Sequence, residues 1–165
     1  MRKIAIIGHG PSKKQFDFNS DYEVWSLNQK IDLPRFDLWF DIHNLSRINK
    51  DSGYWQFLKE NETKIIICEE NKALLPNAQI YPKELIENMY FSRLFHCSIS
   101  WMIAYAVFQG VKEIALYGVD MLLKTEYQEQ RPSVLYWLGV AQGLGINIVL
   151  PENSALLNGK YYWNL

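Results

Sequence analysis

The sequence predicts a single Rossmann-like α/β domain over residues 1–165, with a mostly parallel sheet flanked by helices. Three observations favour this fold class. Short, continuous apolar runs such as residues 3–7 are typical of strands that are buried on both faces of a parallel sheet. Helix-like segments alternate with these runs along the chain. Tight glycine turns join the two kinds of segment, which implies right-handed crossovers between parallel strands.

Each element has its own local signal. The first strand and the strand before Gly118 are continuous apolar runs, and the second alternates β-prone residues. The predicted strands cover residues 3–7, 22–27, 37–42, 64–68, 113–117 and 146–150. Ser98 suits a helix N-cap, and Pro132 suits a first helical turn. Gly110 and Gly145 suit the positions that follow a helix end. The predicted helices cover residues 54–61, 98–109 and 132–144.

The composition of the chain argues against several classes of protein. Lys and Arg total 17 and Asp and Glu total 18, so the chain has no basic footprint for general nucleic-acid binding. Two cysteines, Cys68 and Cys97, do not make a disulfide framework and favour a reducing compartment. The apolar run at the N-terminus stops at Gly8, too early for a signal peptide, and the run over residues 99–108 is too short to span a membrane. We therefore expect a soluble, cytoplasmic protein.

Aromatic residues make up 15% of the chain, a high fraction that suits stacking pockets and interfaces as well as a core. Several lie in the last third of the sequence, where they offer an aromatic surface that is compatible with a homo-oligomer. These residues are Tyr136, Trp137, Tyr161, Tyr162 and Trp163.

Ligands of open parallel sheets bind beyond the carboxyl ends of the strands, so the residues that follow each strand are the candidate site. The first strand is followed by Gly8, His9, Gly10 and Ser12. Glycines let a ligand approach the backbone, and backbone N–H groups can hold a phosphate. The sequence is neither a complete GxGxxG motif nor a P-loop, so a tight turn that merely needs two glycines remains an alternative.

The ends of the next strands add polar side chains. Asn28 and Gln29 carry amides that can read a base or a sugar hydroxyl, although a loop amide facing solvent is equally compatible with the pattern. His43 follows the third strand as a candidate proton acceptor, with a structural histidine as the alternative. Asp120 follows the strand that ends at Gly118, where it either faces the pocket or caps the next segment. Ser98, two residues after His96, opens an apolar helix and caps it, holds a phosphate, or does both.

Two further polar stretches lie away from strand ends. Glu126 and Glu129 precede the last helix and are candidate general bases, with a solvated loop as the alternative. The charged run over residues 69–72 is typical of a surface turn, and we assign it no role in the site.

Three blocks of the sequence are informative when they are compared together with known families. They are IAIIGHGPS at 4–12, VWSLNQ at 24–29, and the stretch from Ser98 that ends in GVKEIALYGVD at Asp120. In this order they resemble the bacterial sialyltransferases of glycosyltransferase family 42 and, more loosely, the motility-accessory-factor domains. The PENS sequence at 151–154 is similar to the final block of that family.

The resemblance implies a nucleotide ligand, which in sialyltransferases is CMP-sialic acid, and neither a metal nor another cofactor. It places six residues at the nucleotide pocket: His9, Gly10, Asn28, Ser98, Asp120 and, near it, Ser154. The family carries a lid with a catalytic histidine before its last helix, whereas residues 121–131 fill that gap here and contain no histidine. Glu126, Glu129 or His43 would then take the role of the base.

Two functions remain open on the sequence. The first is a small glycosyltransferase-like enzyme that transfers a sugar from a nucleotide-sugar without metal. The alternative is a non-catalytic nucleotide-binding protein that sequesters or regulates. Hydrolysis of a nucleotide-linked bond is a third reaction, because water can replace an acceptor. A mobile element such as a phage would suit either of the first two.

Overall fold

Seven strands form one sheet in the computed structural model, which describes residues 1–29, 31–121, 127–152, 154 and 156–157. The strands are β1 (Lys3–Ile7), β2 (Glu23–Leu27), β3 (Leu38–Asp41), β4 (Ile65–Ile67), β5 (Gln79–Ile80), β6 (Glu113–Tyr117) and β7 (Asn147–Val149). Their order is β5-β4-β3-β2-β1-β6-β7, and each of these neighbouring pairs is parallel. The predicted Rossmann-like α/β fold is confirmed.

Strand β1 lies between β2 and β6 and explains the first apolar run. Ile6 pairs with Trp25 of β2 on one side and with Leu116 of β6 on the other. Ile6 belongs to the apolar cluster on one face of the sheet, whereas its neighbour Ile7 belongs to a cluster on the opposite face. Both side chains are fully buried. A strand covered on both faces needs apolar residues at successive positions, and this requirement produces the continuous run.

Among the described residues, four α-helices accompany the sheet: α1 (Gly53–Glu60), α2 (Lys83–Tyr90), α3 (Ser98–Phe108) and α4 (Tyr127–Gly143). Ile103 of α3 shares a buried cluster with Ile66 of β4, while Leu58 of α1 shares another with Ile65, the preceding residue of that strand. Helices therefore cover both faces of the sheet. Within the described residues, no helix combines the length and apolar character needed to cross a membrane.

Two predicted helix starts were wrong. The N-cap of α3 is Cys97 rather than Ser98, which is instead the first helical residue, and the Cys97 N–H donates to Ser100 Oγ at 3.4 Å. Helix α4 begins at Tyr127, so Pro132 lies inside the helix rather than in its first turn. Inside a helix, a proline lacks the N–H of one backbone hydrogen bond and its ring crowds the carbonyl four residues earlier, which is why the sequence favoured the first turn for Pro132.

The sequence prediction contained neither β5 nor α2. Strand β5 has two residues, and both side chains are exposed, so no apolar run marks it. Helix α2 buries one residue, Ile86. The helix ends at Tyr90 and is followed by Phe91, a non-glycine residue in the left-handed region with φ 50°.

Trp137, which the sequence assigned to an aromatic surface, lies in the core instead. Trp137 is fully buried, donates from Nε1 to the carbonyl of Leu94 at 2.9 Å, and stacks on Phe95 with ring centroids 5.3 Å apart. The fold therefore buries the apolar area of this ring and gives its N–H group a hydrogen-bond partner. Tyr136 is exposed, whereas Tyr161, Tyr162 and Trp163 lie outside the described residues. Homo-oligomerisation therefore stays a prediction.

Candidate functional site

A cleft of about 930 Å³ opens at the carboxyl ends of β1, β2, β3 and β6. This is the edge of the sheet where the sequence placed its candidate ligand groups. The start of α3 closes one side of the cleft. Eight of the residues that the sequence predicted for the site line this cleft: Gly8, His9, Gly10, Asn28, Gln29, His43, Ser98 and Asp120.

The β1–β6 wall of the cleft is lined by Gly8, Gly10, Gly118 and Asp120 and is supported from behind by Ser12. It is a closely packed backbone contact. Gly118 has φ 69°, and a Cβ there would overlap the carbonyl oxygen of Gly8. A Cβ at Gly10 would likewise overlap the carboxylate of Asp120. Both glycines are therefore required by the approach of two loops, which supports the turn interpretation of the glycine pattern.

The N–H groups of this wall already have partners inside the protein. Gly8 N donates to Tyr117 O at 2.7 Å, and Gly10 N donates to Gly118 O at 2.9 Å. Ser12 N lies 3.4 Å from Asp120 Oδ2, while Ser12 Oγ accepts from Gly118 N at 2.7 Å. Each of these three N–H groups therefore has a partner inside the protein, and the phosphate-holding role that the sequence suggested for this loop stays a prediction. The wall shapes the cleft.

The β2–β3 wall is lined by Asn28, Asp41, His43 and Tyr54 and is supported from behind by Trp39. In this wall, side chains rather than backbone groups face the cleft. Asn28 ends β2 in the left-handed region with φ 57°. Its N–H donates to Phe40 O at 2.9 Å, and its carbonyl accepts from Trp39 Nε1 at 3.0 Å. These bonds hold the residue in a conformation that asparagine adopts more readily than most residues.

The Asn28 side chain meets the start of α3. Ser98 Oγ donates to Asn28 Oδ1 at 3.2 Å. Because Oδ1 is the bonded amide atom among the described contacts, the Nδ2 group is the one that can donate to a ligand. Ser98 is buried, and its own backbone N–H lies in the first turn of an eleven-residue helix, where N–H groups favour an anion.

His43 is held by a buried carboxylate. Asp41, whose side chain is 3% exposed, accepts from His43 Nδ1 at 3.1 Å, from the His43 N–H at 3.2 Å and from Tyr54 Oη at 2.6 Å. The hydrogen bond to Asp41 and its negative charge raise the pKa of His43 above the ordinary histidine value, against an opposing effect of partial burial. Burial is the main cause that raises the pKa of Tyr54, with the charge of Asp41 adding to it.

A further residue fixes the backbone of this segment. Asn71 is buried, donates from Nδ2 to His43 O at 2.7 Å, and accepts from Leu45 N at 2.9 Å. The charged run over residues 69–72 is therefore more than the surface turn predicted from sequence. Tyr54, Trp39 and Asn71 were missed as site residues because their spacing to Asp41 and His43 follows no motif; only the fold brings them together.

The remaining candidates lie in other places. His9 lines the cleft, and its Nε2 lies 3.0 Å from Leu27 O. Glu129 is exposed and does not contribute to the cleft lining, whereas its neighbour Gln130 does. Ser154 is buried and bonded locally to Leu156 N at 3.2 Å. Glu126 lies outside the described residues. In the described part of the chain, no group of three or more His, Cys, Asp or Glu side chains could hold a metal ion.

The sheet order and the position of the cleft define a class of protein. The chain runs outward from β1 to β5 and returns to the other side of β1 as β6, so the cleft lies where the strand order reverses. Doubly wound α/β domains bind their ligands at this switch point.

Solved structures with this fold were found among the sialyltransferases. The chain is similar to sialyltransferase CstII from Campylobacter jejuni in complex with cytidine-5'-monophosphate, with a TM-score of 0.63 and 21% identity over 94% of this chain and 82% of that one. It is similar to the same enzyme with CMP-3FNeuAc at a TM-score of 0.62 and 22% identity over 94% and 84% of the two chains. A third structure, with a trisaccharide acceptor and CMP, gives 0.63 and 20% over 97% and 89%.

These similarities confirm the predicted resemblance to bacterial sialyltransferases at the level of the fold. No protein-family model matches the sequence, and no curated protein sequence matches it either.

Proposed function

We propose that this protein binds a nucleotide-sugar in the cleft, a CMP-sugar before others, and transfers the sugar to a hydroxyl acceptor without a metal ion. The observation that carries the proposal is a cleft of about 930 Å³ on a fold shared with a sialyltransferase solved in complex with CMP. That volume falls within the range of small-molecule sites. The cleft also joins amide, hydroxyl, carboxylate and imidazole groups, which suit a sugar nucleotide better than an apolar ligand.

The start of α3 is the proposed place of the phosphate. The N–H groups of Gly8, Gly10 and Ser12 are already bonded, and Asp120 adds negative charge on their side of the cleft. Ser98 lies opposite, where the helix dipole favours an anion and the hydroxyl can contribute a hydrogen bond. The same groups would stabilise the charge of a departing nucleoside monophosphate, which is the task that metal-independent transfer requires.

Asn28 is the proposed reader of the nucleoside. Its Oδ1 is bonded to Ser98, so the Nδ2 donors are offered to a ring or sugar acceptor. Gln29 is exposed at the same edge and can add a second amide. An amide donor alone does not select one base, and the preference for cytidine comes from the fold similarity to CMP-bound structures.

The first experiment is a binding panel on the purified protein, by calorimetry and thermal shift. CMP, UMP, AMP, GMP, cytidine and CMP-sialic acid are compared at equal concentrations. We expect CMP and CMP-sialic acid to bind, with cytidine at least tenfold weaker because it lacks the phosphate. A ligand at one hundred times its Kd stabilises the fold by about 2.7 kcal/mol, a shift of about 5–10 °C at this chain length. No binding across the panel at millimolar ligand would reject the proposal.

A binding protein without transferase activity is the second candidate. The observation that favours it is the short connection between Asp120 and the start of α4 at Tyr127, which leaves residues 121–126 as the only chain between them. A transferase must exclude water from its donor, whereas a binding protein has no such need. The two are separated by measuring CMP release from CMP-sialic acid with and without sugar acceptors. Release that requires an acceptor indicates transfer, release without one indicates hydrolysis, and binding without release indicates the binding protein.

A further inference from the structure

We propose that His43 is the general base of the transfer reaction and that Asp41 is its positioning residue. The inference rests on the proposed function, because it names the group that activates the acceptor in that same cleft. It also selects one of the three candidate bases that the sequence offered.

The geometry of Asp41 supports the assignment. This carboxylate lies at the end of β3 with its side chain 3% exposed, and it accepts three hydrogen bonds. Tyr54 Oη and the His43 N–H fix its orientation, and the third bond comes from His43 Nδ1. A buried carboxylate with its oxygens so occupied is poorly placed to reach a substrate itself. It is well placed to orient an imidazole.

The bond to Asp41 sets the tautomer of His43. Because the carboxylate accepts, Nδ1 carries the proton and Nε2 carries the lone pair. The His43 side chain is 62% exposed and lines the cleft, so Nε2 is accessible to an acceptor that enters from solvent. A buried carboxylate behind an accessible imidazole is an arrangement that holds a base in its reactive tautomer and stabilises the imidazolium that forms.

The other histidines of the cleft do not share this arrangement. His9 Nε2 lies 3.0 Å from the carbonyl of Leu27, so this ring is held by a backbone carbonyl, and no described hydrogen bond joins it to a carboxylate. His96 precedes the start of α3, on the side of the cleft where we place the phosphate. Glu129 is exposed and outside the cleft lining. His43 is therefore the described group that best combines access with a fixed lone pair.

The reaction step balances as a substitution. The acceptor hydroxyl oxygen forms a bond to the anomeric carbon of the donor sugar, and the bond from that carbon to the phosphate oxygen breaks. The electron pair of the broken bond leaves on the nucleoside monophosphate. The hydroxyl proton moves to His43 Nε2, and the imidazolium then faces the charge of Asp41. His43 returns the proton to solvent before the next turnover.

The network also connects the two ends of the β2–β3 wall. Trp39 Nε1 donates to Asn28 O at 3.0 Å and lies 3.3 Å from Tyr54 Oη, which in turn donates to Asp41. The proposed nucleoside reader and the proposed base are thus held by one indole and one phenol. This link fixes their separation, which proximity-based catalysis requires.

The test compares four variants for turnover and, separately, for CMP binding. His43→Ala is expected to lower kcat by about 10²–10⁴-fold while the Kd for CMP stays within about threefold, and added imidazole should restore part of the rate. Asp41→Asn is expected to lower kcat less than His43→Ala and to move the acid limb of the kcat profile to lower pH. Tyr54→Phe should also lower kcat, by less than Asp41→Asn, because it removes one of the hydrogen bonds that orient the carboxylate. Asp51→Asn makes the matched Asp-to-Asn change at an exposed position and should leave kcat unchanged.

The pH profile is interpreted against every titratable group of the cleft. His43 faces Asp41 and, through it, Tyr54, while His9, His96 and Asp120 lie along the same lining. A shift of the acid limb in Asp41→Asn that is absent in Asp51→Asn assigns the limb to the His43–Asp41 pair. A merely structural role for Asp41 would lower the melting temperature without moving the limb.

Failure of this inference is distinct from failure of the proposed function. Near-wild-type turnover in His43→Ala would overturn the base assignment and leave nucleotide-sugar transfer intact. A large loss in Glu126→Gln or Glu129→Gln with none in His43→Ala would assign the base elsewhere. CMP binding with no turnover by the wild-type protein would overturn the base assignment and favour the binding protein. Absence of CMP binding would reject the proposed function itself.

Discussion

The two walls of the cleft use polar groups in opposite ways. On the β1–β6 wall, Gly8, Gly10, Ser12 and Gly118 bond to each other or to nearby backbone, and their loops approach too closely for a side chain. On the β2–β3 wall, Asn28 and His43 are each held by one atom and keep another for a ligand. The first wall is therefore a structural support, and the second carries the groups to which our proposals assign binding and catalysis. Changes on the first should affect the free energy of unfolding, and changes on the second should affect binding and turnover.

Gly118→Ala should give the largest effect and would challenge the structural role of the β1–β6 wall. A left-handed φ costs a non-glycine residue about 1–2 kcal/mol, and overpacking costs about 1–3 kcal/mol more. We therefore expect a loss of about 2–5 kcal/mol in the free energy of unfolding, measured by urea denaturation. Gly139→Ala is the matched control, because this helical glycine has no atom within 4 Å of an added Cβ. The control should be neutral or stabilising by up to about 1 kcal/mol. Equal stabilities in the two variants would contradict the close contact.

Asn28→Asp tests whether the β2–β3 wall acts in ligand binding rather than in stability. The substitution keeps the shape of the side chain and an acceptor for Ser98, but it replaces the Nδ2 donors with a negatively charged oxygen. We expect CMP to bind at least tenfold more weakly, equivalent to about 1.4 kcal/mol, with a melting temperature within a few degrees of wild type. Calorimetric titration with CMP measures the first and a thermal scan the second. Loss of stability with unchanged affinity would assign Asn28 to the structural wall.

The smallest expected effect is the pH dependence of the His43–Asp41 pair. The folded state raises the pKa of His43, so the pair adds stability below the ordinary histidine value of 6.5, and this contribution is lost as pH rises through the folded pKa. The ring is largely exposed, so solvent reduces the contribution to at most about 1 kcal/mol. The stability difference between wild type and His43→Gln should therefore be larger at pH 5.5 than at pH 8.5. A difference that grows with pH would contradict the sign.

Sequence patterns predicted the parts of the fold that are governed by burial. Strands β1 and β6 were predicted because both faces are covered and every position needs an apolar residue. Helix α3 was predicted because it is apolar nearly all round. Strand β5 was not predicted because its side chains are exposed. The predicted start of α4 was wrong because Pro132 was expected to mark the first turn. Local sequence patterns predict an element less well where its position is set by tertiary contacts rather than by burial.

The candidate site was likewise predicted only in part from the sequence. The rule that ligand groups follow parallel strands brought Asn28, His43 and Asp120 to one cleft. It could not reveal that the loop N–H groups are consumed by bonds between β1 and β6, because those partners are distant in sequence. It could not reveal Tyr54 either, since the phenol reaches Asp41 from a different element.

The glycine contact between β1 and β6 has a consequence for synthesis on the ribosome. Strands β1 to β5, with Asn28, Asp41 and His43, emerge before Gly118 has been translated. A nascent chain at that stage holds these candidate site residues without the opposing backbone, and the exposed flank of β1 has no neighbour to cover it. Pairing with β6 covers this flank and supplies the opposing backbone. A product truncated before Gly118 would therefore carry an open strand edge suited to aggregation.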